Sequence, residues 1–363
     1  MKVWIDGSAF ENPRQLGIWR VFYEIMSRTS REVDYTLWLR SKPMQPLPEG
    51  VRVYRDPGRS EIPRHHLFAR LQRRLALRRD PAELARADLY HPTGLTLPIN
   101  RGTKCIATIH DMIAESHFPI GIRELQEAIP IKQTTLERAK LLVCVSQTTA
   151  SELSRFYPEL KHKTRVIHHG AEHLLPTDSI PPTSASTAKN ALFIGQRTGY
   201  KNFPCLLDAM QSAHWPSDAQ LNVVGPRFSS AEELLIRSLN LTNRIRNLGH
   251  LSTEQLRNEY RTSRCLVFPS FQEGFGLPCL ESQSLGCPLV CSDIAVFHEV
   301  AGEAALFFDP RLGEQLAEQV KRVGDPAVRK QLIENGRENV HRFSWDKTAT
   351  QILEVYHQAT SAT

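Results

Sequence analysis

The densest chemistry in the chain lies in Phe268-Pro269-Ser270-Phe271-Gln272-Glu273-Gly274-Phe275-Gly276-Leu277-Pro278-Cys279-Leu280-Glu281. An apolar run ends near Phe268, glycines follow at 274 and 276, and Pro278 suits the first turn of a helix beginning near Leu277. Glycine lets a backbone approach a ligand closely, and the amides at a helix start attract anionic oxygens, so this loop reads as a cradle for phosphate or sugar oxygens. Glu273 falls in the turn and Glu281 about one turn into the helix, where two carboxylates can grip separate hydroxyl-bearing parts of one ligand. Gly-x-Gly before a helix is also common in α/β proteins that bind nothing there. The pattern is not a dinucleotide fingerprint, because Cys279 stands where a third small residue is needed and no acidic residue closes the following strand at the usual distance.

A second cluster follows the apolar run Ala191-Leu192-Phe193-Ile194: Gly195-Gln196-Arg197-Thr198-Gly199-Tyr200-Lys201-Asn202-Phe203. Cations at a strand exit can stabilise negative charge that develops on a departing phosphate. Arg197 and Lys201 have the required charge, although Arg and Lys after a strand are also ordinary solvated residues. No Asp-x-Asp pattern for a metal ion accompanies them. In the first half, Cys105-Ile106-Ala107-Thr108-Ile109 ends in His110-Asp111. A histidine at the carboxyl end of a strand faces the mouth of its sheet, where a ring nitrogen can meet a hydroxyl and Asp111 can orient the ring; it can equally be structural.

Placing such loops is the work of parallel α/β layers, and the alternation of short apolar runs with amphipathic stretches supplies them nearly throughout. The strands expected in the first half are Lys2-Ile5, Tyr35-Arg40, Leu89-His91, Cys105-Ile109, Leu141-Val145 and Arg165-Ile167. Those of the second half are Ala191-Ile194, Gln220-Val224, Ile245-Leu248, Cys265-Phe268, Pro288-Cys291 and Ala305-Phe308. A Pro/Ser/Thr-rich stretch from His173 to Thr187 reads as an exposed linker. At 363 residues the chain is too long for one growing core, so the expected plan is a domain over 1–172, a linker over 173–189, a domain over 190–345, and a helix over 346–363 packing back toward the first domain. Two doubly wound domains then face a cleft, with the chemistry beyond the carboxyl ends of the strands.

Composition agrees with a globular enzyme: 41% hydrophobic and 23% charged, with no low-complexity region. No apolar run approaches the ~20 residues of a spanning helix, and Met1-Lys2-Val3-Trp4-Ile5-Asp6 reads as a buried strand rather than a signal peptide, so a cytoplasmic protein is expected. The seven cysteines, mostly inside apolar runs such as Leu142-Val143-Cys144-Val145 and without a Cys-x-x-Cys pair, read as reduced core residues rather than a zinc site. A net charge of +6 is compatible with anionic ligands, phospholipid or nucleic acid and selects none of them.

The stretch Glu273-Gly274-Phe275-Gly276-Leu277-Pro278-Cys279-Leu280-Glu281 resembles the paired-glutamate motif of glycosyltransferase family 4, retaining enzymes of the GT-B fold. The resemblance implies that Glu273 contacts the donor sugar near the reacting carbon, that Glu281 hydrogen-bonds the ribose hydroxyls, and that the loop from Gly274 through Phe275, Gly276 and Leu277 holds sugar hydroxyls or phosphate. It makes Gly195–Phe203 the pyrophosphate loop, with Arg197 and Lys201 replacing a metal ion, and makes His110 a neighbour of the donor sugar. Leu251, in Gly249-His250-Leu251-Ser252, falls where the family's backbone holds the base. On the acceptor side stand His91, in Tyr90-His91-Pro92-Thr93-Gly94, and Gly17 at a helix start, where the family often has two glycines and this chain has Leu16-Gly17. No metal and no cofactor beyond the nucleotide-sugar substrate is implied. Tyr200-Lys201-Asn202-Phe203 is similar to bacterial mannosyltransferases of polysaccharide and O-antigen assembly, which favours GDP-mannose over a UDP-hexose as donor and a glycan or lipid-linked glycan as acceptor. The alternatives are a GT-B epimerase, or a silent subunit that only binds nucleotide; the lysine context of a pyridoxal-bearing phosphorylase is not found.

One stretch stands outside that pattern. Arg64–Arg79 places Leu67, Phe68, Leu71 and Leu75 at helical spacing among arginines 70, 73, 74, 78 and 79. A basic amphipathic helix of this kind can lie on an anionic membrane, here the inner face, or can cover the first sheet with a solvated outer face. Nucleic-acid binding is not expected, since no aromatic stacking platform accompanies the charge.

Overall fold

The computed structural model describes residues 1–12, 16–55, 81–94, 97–98, 100–116, 128–175, 189–197 and 199–361. The basic stretch at 64–79 and most of the Pro/Ser/Thr-rich stretch therefore lie outside the described residues. The chain divides into two units, one of Met1–Glu115, Arg123–His169 and Trp345–Thr363, the other of Ser116–Ile122 and Gly170–Ser344.

The first unit contains β1 (Lys2–Asp6), β2 (Asp34–Leu39), β3 (Arg52–Arg55), β4 (Leu89–Pro92), β5 (Ile106–Ile109), β6 (Leu141–Cys144) and β7 (Thr164–Val166). The order β3-β2-β1-β4 is joined to β5-β6-β7 by one parallel bridge between Tyr90 and Cys105, and every pairing is parallel. Val3–Asp6 and all of β4, β5 and β6 are buried, as strands covered on both faces must be. Strand β3 escapes sequence reading because Arg-Val-Tyr-Arg is an exposed edge with no apolar run.

Helix Trp345–Ser361 buries Trp345, Thr348, Ala349, Ile352, Val355, Tyr356 and Ala359, the three-and-four spacing of a single apolar face. It packs on the helix Leu16–Thr29 and on β4, inside the first unit. Its deepest anchor is polar: Tyr356 Oη lies 2.9 Å from His91 Nδ1, and Thr348 Oγ1 donates to the His168 carbonyl at 2.6 Å.

The second unit holds β8 (Ala191–Ile194), β9 (Leu221–Val224), β10 (Ile245–Gly249), β11 (Cys265–Phe268), β12 (Leu289–Ser292) and β13 (Leu306–Phe308). Their order is β10-β9-β8-β11-β12-β13, again parallel throughout. Numbered from β8, that is 3-2-1-4-5-6, the doubly wound order of Rossmann-like folds. Its core includes Phe193, Leu206, Val223, Val267 and Leu316.

Two expectations about boundaries need correction. The second unit begins at Gly170 rather than at 190. Residues 173–175 are not free linker: Glu172–Leu174 form a 3₁₀ turn in which Leu174 is buried and its carbonyl accepts from Arg257 Nε at 2.7 Å. A segment so anchored within its unit cannot serve as a solvated connection. All seven cysteines are buried and unbridged.

Candidate active site

In a doubly wound sheet, ligands sit beyond the carboxyl ends of the two strands where the winding reverses. In the second unit these strands are β8 and β11, and the loops that leave them carry Lys201 and Glu273. Lys201 Nζ donates to Glu273 Oε1 at 2.6 Å, and Ser270 Oγ donates to the same oxygen at 2.7 Å. The ammonium also lies 5.1 Å from the Tyr200 ring and 5.4 Å from that of Phe268. The pair is only partly buried, with side-chain exposures of 18% for Lys201 and 10% for Glu273, so a ligand entering from solvent can reach both charges.

The two loops are pinned to one another. Phe271 N donates to the Tyr200 carbonyl at 2.8 Å. Asn202, in the left-handed region at φ 53°, sends its amide to the carbonyls of Pro269 at 3.0 Å and Pro310 at 2.7 Å. Asparagine tolerates that conformation better than most residues, and its buried amide ties the exits of β8, β11 and β13 together. Gly276 precedes the helix Leu277–Ser284 at φ 96°, where a Cβ would come within 3.0 Å of the Phe297 ring. Only glycine turns the chain there without strain. The expected helix start at Leu277, with Pro278 in the first turn, is found.

Glu281 lies on that helix. Its Oε2 accepts from Tyr260 Oη at 2.6 Å and its Oε1 lies 2.8 Å from His173 Nε2. Burial, followed by the neighbouring carboxylate, pushes the Tyr260 phenol well above its usual range, so it remains a donor. The carboxylate is thus oriented by two protein groups, which still leaves lone pairs for a hydroxyl. Leu251, half-buried after β10, directly precedes Ser252, which caps the helix Thr253–Thr262 by accepting from Gln255 N at 3.2 Å.

Arg197 is placed differently from the expectation. Its Nε and Nη2 donate to Glu232 at 2.6 and 3.2 Å, Nη1 donates to the Pro226 carbonyl at 2.9 Å, and Nη2 also donates to the Arg227 carbonyl at 3.0 Å. The side chain is 4% exposed and lies against the ring of Phe228, 4.7 Å away. With every guanidinium nitrogen engaged, Arg197 acts as a brace between the loops after β8 and β9, and Lys201 is the cation that meets Glu273. Those loops approach so closely that a Cβ on Gly225 would lie 2.4 Å from the Gly195 carbonyl oxygen.

In the first unit His110 follows β5, as expected. Its Nε2 is buried without a hydrogen-bond partner. Burial above all lowers its pKa to about 4, with Asp111 opposing, so the ring is neutral near pH 7. Asp111 influences the ring through its charge; its carboxylate accepts from Ile113 N at 3.1 Å.

His91 is corrected. It is fully buried, with Nδ1 on Tyr356 and Nε2 2.8 Å from Thr108 Oγ1, and burial followed by His110 drives its pKa down to about 3. Both nitrogens are spent inside the core, so it meets no acceptor. Gly17 lies in the first turn of its helix, exposed, and a Cβ there would meet nothing within 4 Å.

Sequence reasoning passed over Ser270, Asn202, Tyr260 and His173. Ser270 and Asn202 stand inside the motifs and were legible as polar residues next to charges; Tyr260 and His173 reach Glu281 from distant segments, and nothing local announces them.

The model for glycosyl transferases group 1 matches residues 177–339, and that for Glycosyltransferase Family 4 matches residues 17–173. An O-antigen chain mannosyltransferase B of Escherichia coli is 28% identical over 284 residues, 74% of each chain. The MMP alpha-(1->4)-mannosyltransferase of Mycolicibacterium hassiacum is 25% identical over 308 residues, 80% of this chain and 74% of that protein. Among solved structures, sucrose-phosphate synthase from Thermosynechococcus elongatus superposes over 100% of both chains with a TM-score of 0.78 at 21% identity. HepE of Anabaena in complex with UDP-glucose does so with a TM-score of 0.71 at 17% identity, covering 98% of this chain and 99% of its own. Two parallel Rossmann-like sheets, these matches and the Lys201–Glu273 pair agree, and the chain belongs to the family 4 glycosyltransferases of the GT-B fold.

Proposed function

We propose that this glycosyltransferase moves a hexose, with mannose favoured, from a nucleoside diphosphate to a hydroxyl of a growing glycan or lipid-linked glycan, retaining the anomeric configuration and using no metal ion. The observation that carries the reading is the Lys201–Glu273 pair at 2.6 Å beyond the ends of β8 and β11. It offers one cation to a diphosphate and one carboxylate to the positive charge that grows at the anomeric carbon as the leaving group departs.

In the proposed transfer the bond from the anomeric carbon to the β-phosphate oxygen breaks while the acceptor oxygen approaches from the same face. The β-phosphate takes the acceptor's proton, so a nucleoside diphosphate and a glycoside leave with atoms and charge balanced. Lys201 steadies the diphosphate, Glu281 meets the ribose, and His110 is the proposed neighbour of the donor sugar. Mannose is favoured by the mannosyltransferases of Escherichia coli and Mycolicibacterium hassiacum, and GDP as its carrier by the resemblance of Tyr200-Lys201-Asn202-Phe203 to bacterial mannosyltransferases. The UDP-glucose held by HepE keeps a UDP-hexose as the competing donor. The Escherichia coli relative's O-antigen also favours cell-surface polysaccharide as the product, made at the cytoplasmic face of the membrane with Arg64–Arg79 as the contact.

The test is binding of GDP, UDP, ADP and dTDP and their sugar conjugates in the presence of EDTA, followed by transfer assays with the sugar conjugate bound best. One preferred nucleotide, bound despite chelation and consumed only when an acceptor is present, supports the reading. Consumption without acceptor would make the protein an epimerase or hydrolase, and no binding at all would make it a silent subunit.

A further inference from the structure

Glu273 has two carboxylate oxygens, and the protein holds only one of them. Lys201 Nζ and Ser270 Oγ both donate to Oε1, at 2.6 and 2.7 Å, whereas Oε2 meets no donor among the described residues. Oε2 is not shut away either: the Glu273 side chain keeps 10% of its surface open, and this oxygen is not one of the enclosed atoms that lack a partner. Two donors on Oε1 restrict the swing of the carboxylate and leave the lone pairs of Oε2 unspent.

The two donors differ in what a ligand does to them. Lys201 carries its ammonium on a flexible four-carbon stem and answers to charge. A diphosphate brings more negative charge than a carboxylate, so one that binds beyond β8 and β11 draws Lys201 away from Oε1 toward itself. Ser270 is neutral and fully buried, and no such pull acts on it. Its backbone is fixed on both sides: the Pro269 carbonyl accepts from the Asn202 amide at 3.0 Å, and Phe271 N donates to the Tyr200 carbonyl at 2.8 Å. A hydroxyl has one proton to give, and Ser270 gives it to Glu273 rather than to a carbonyl of its own loop.

We propose that Ser270 is a positioning residue for Glu273: it keeps Oε1 in place, and Oε2 turned to the donor sugar, after the diphosphate has taken Lys201. What takes Lys201 and what Oε2 faces rest on the transferase reading; the hold on Oε1 does not, and can be read in the free protein.

Crystal structures of two variants read the hold. Lys201→Met imitates the loss of the ammonium to a ligand, and should keep the Glu273 carboxylate within about 0.5 Å of its wild-type place, the tolerance of a working site. In Lys201→Met/Ser270→Ala the carboxylate should leave that place. A displaced Glu273 in the single variant, or an unmoved one in the double, would overturn the proposal. Calorimetry and transfer assays read the consequence, with GDP and GDP-mannose and, in parallel, UDP and UDP-glucose. Ser270→Ala should lose about 10- to 100-fold in kcat, the scale of a misplaced group, while its affinity for the nucleotide alone stays within about threefold. Ser270→Thr, which retains the hydroxyl, should recover most of the turnover. Wild-type turnover by Ser270→Ala overturns the proposal, and so does a parallel loss of nucleotide affinity and turnover, which would make the hydroxyl a prop for the whole loop. No transfer by the wild type with either sugar conjugate would remove the transferase reading and leave the crystal structures to decide the hold.

Discussion

Both units wind their sheets outward from a first strand in the same order, yet they furnish the reversal point differently. Beyond β8 and β11 stand opposite charges, Lys201 and Glu273, partly open to solvent. Beyond β1 and β4 stand hydroxyls bonded to one another and to a carboxylate: Ser8 Oγ lies 3.0 Å from Asp6 Oδ2 and 3.1 Å from Thr93 Oγ1. Winding order decides where a ligand can sit, and the loop residues decide what kind. A charged pair suits a diphosphate, whereas hydroxyls gathered on one carboxylate carry no cation for it.

The sharpest way to break this comparison is at Lys201. Lys201→Ala should lower kcat/KM by about 10²- to 10³-fold, as loss of one preorganised charge-stabilising group does. Thr93→Val, at the matching place in the first unit, should cost less than tenfold in steady-state assays. Equal losses would show that the reversal points share the work.

Glu281→Ala should come next. It removes the acceptor of Tyr260, leaving that buried hydroxyl unpaired, and should cost about 1–3 kcal/mol of stability in denaturant titrations as well as weaken donor binding. Unchanged stability and affinity together would contradict the arrangement.

The first unit should be the more acid-sensitive. His91 and His110 are held neutral, with pKa values of about 3 and about 4 against 6.5 unfolded. Their folded state takes up protons later than the unfolded one, so stability is full above pH 6.5 and falls as pH drops from there toward 4, by roughly 1.4 kcal/mol per pH unit for each histidine. Melting temperatures measured from pH 7.5 to 4.5 should decline over that window; a flat profile would deny the buried neutral pair.

The smallest effect separates the two cations of the loop after β8. Because Arg197 braces Glu232, Arg197→Met and Glu232→Gln should each cost less than about tenfold in turnover, and the double variant little more, since partners in one network are not additive. A hundredfold loss on Arg197→Met with Glu232→Gln near normal would return Arg197 to the diphosphate.

Much of this was legible because the signals were local. Buried parallel strands are short continuous apolar runs, and Glu273, Gly276, Pro278 and Lys201 sit in loops whose residue types state their own geometry. What escaped depends on distant partners. Arg197 and Lys201 look alike in the sequence, and only the fold brings Glu232 to one and Glu273 to the other. His91 and His110 both stand at strand ends, yet Tyr356, hundreds of residues away, consumes the first. Edge strand β3 shows the converse: where nothing is buried, nothing marks the strand.

The helix Trp345–Ser361 completes the core of the unit to which Met1 belongs. During synthesis, therefore, the second unit has its whole sheet available first, while the earlier-made unit waits with Tyr35 and His91 incompletely covered until residues 345–361 emerge. The part of the chain made first is the part finished last, and in that interval it is the half most exposed to chaperones and proteases.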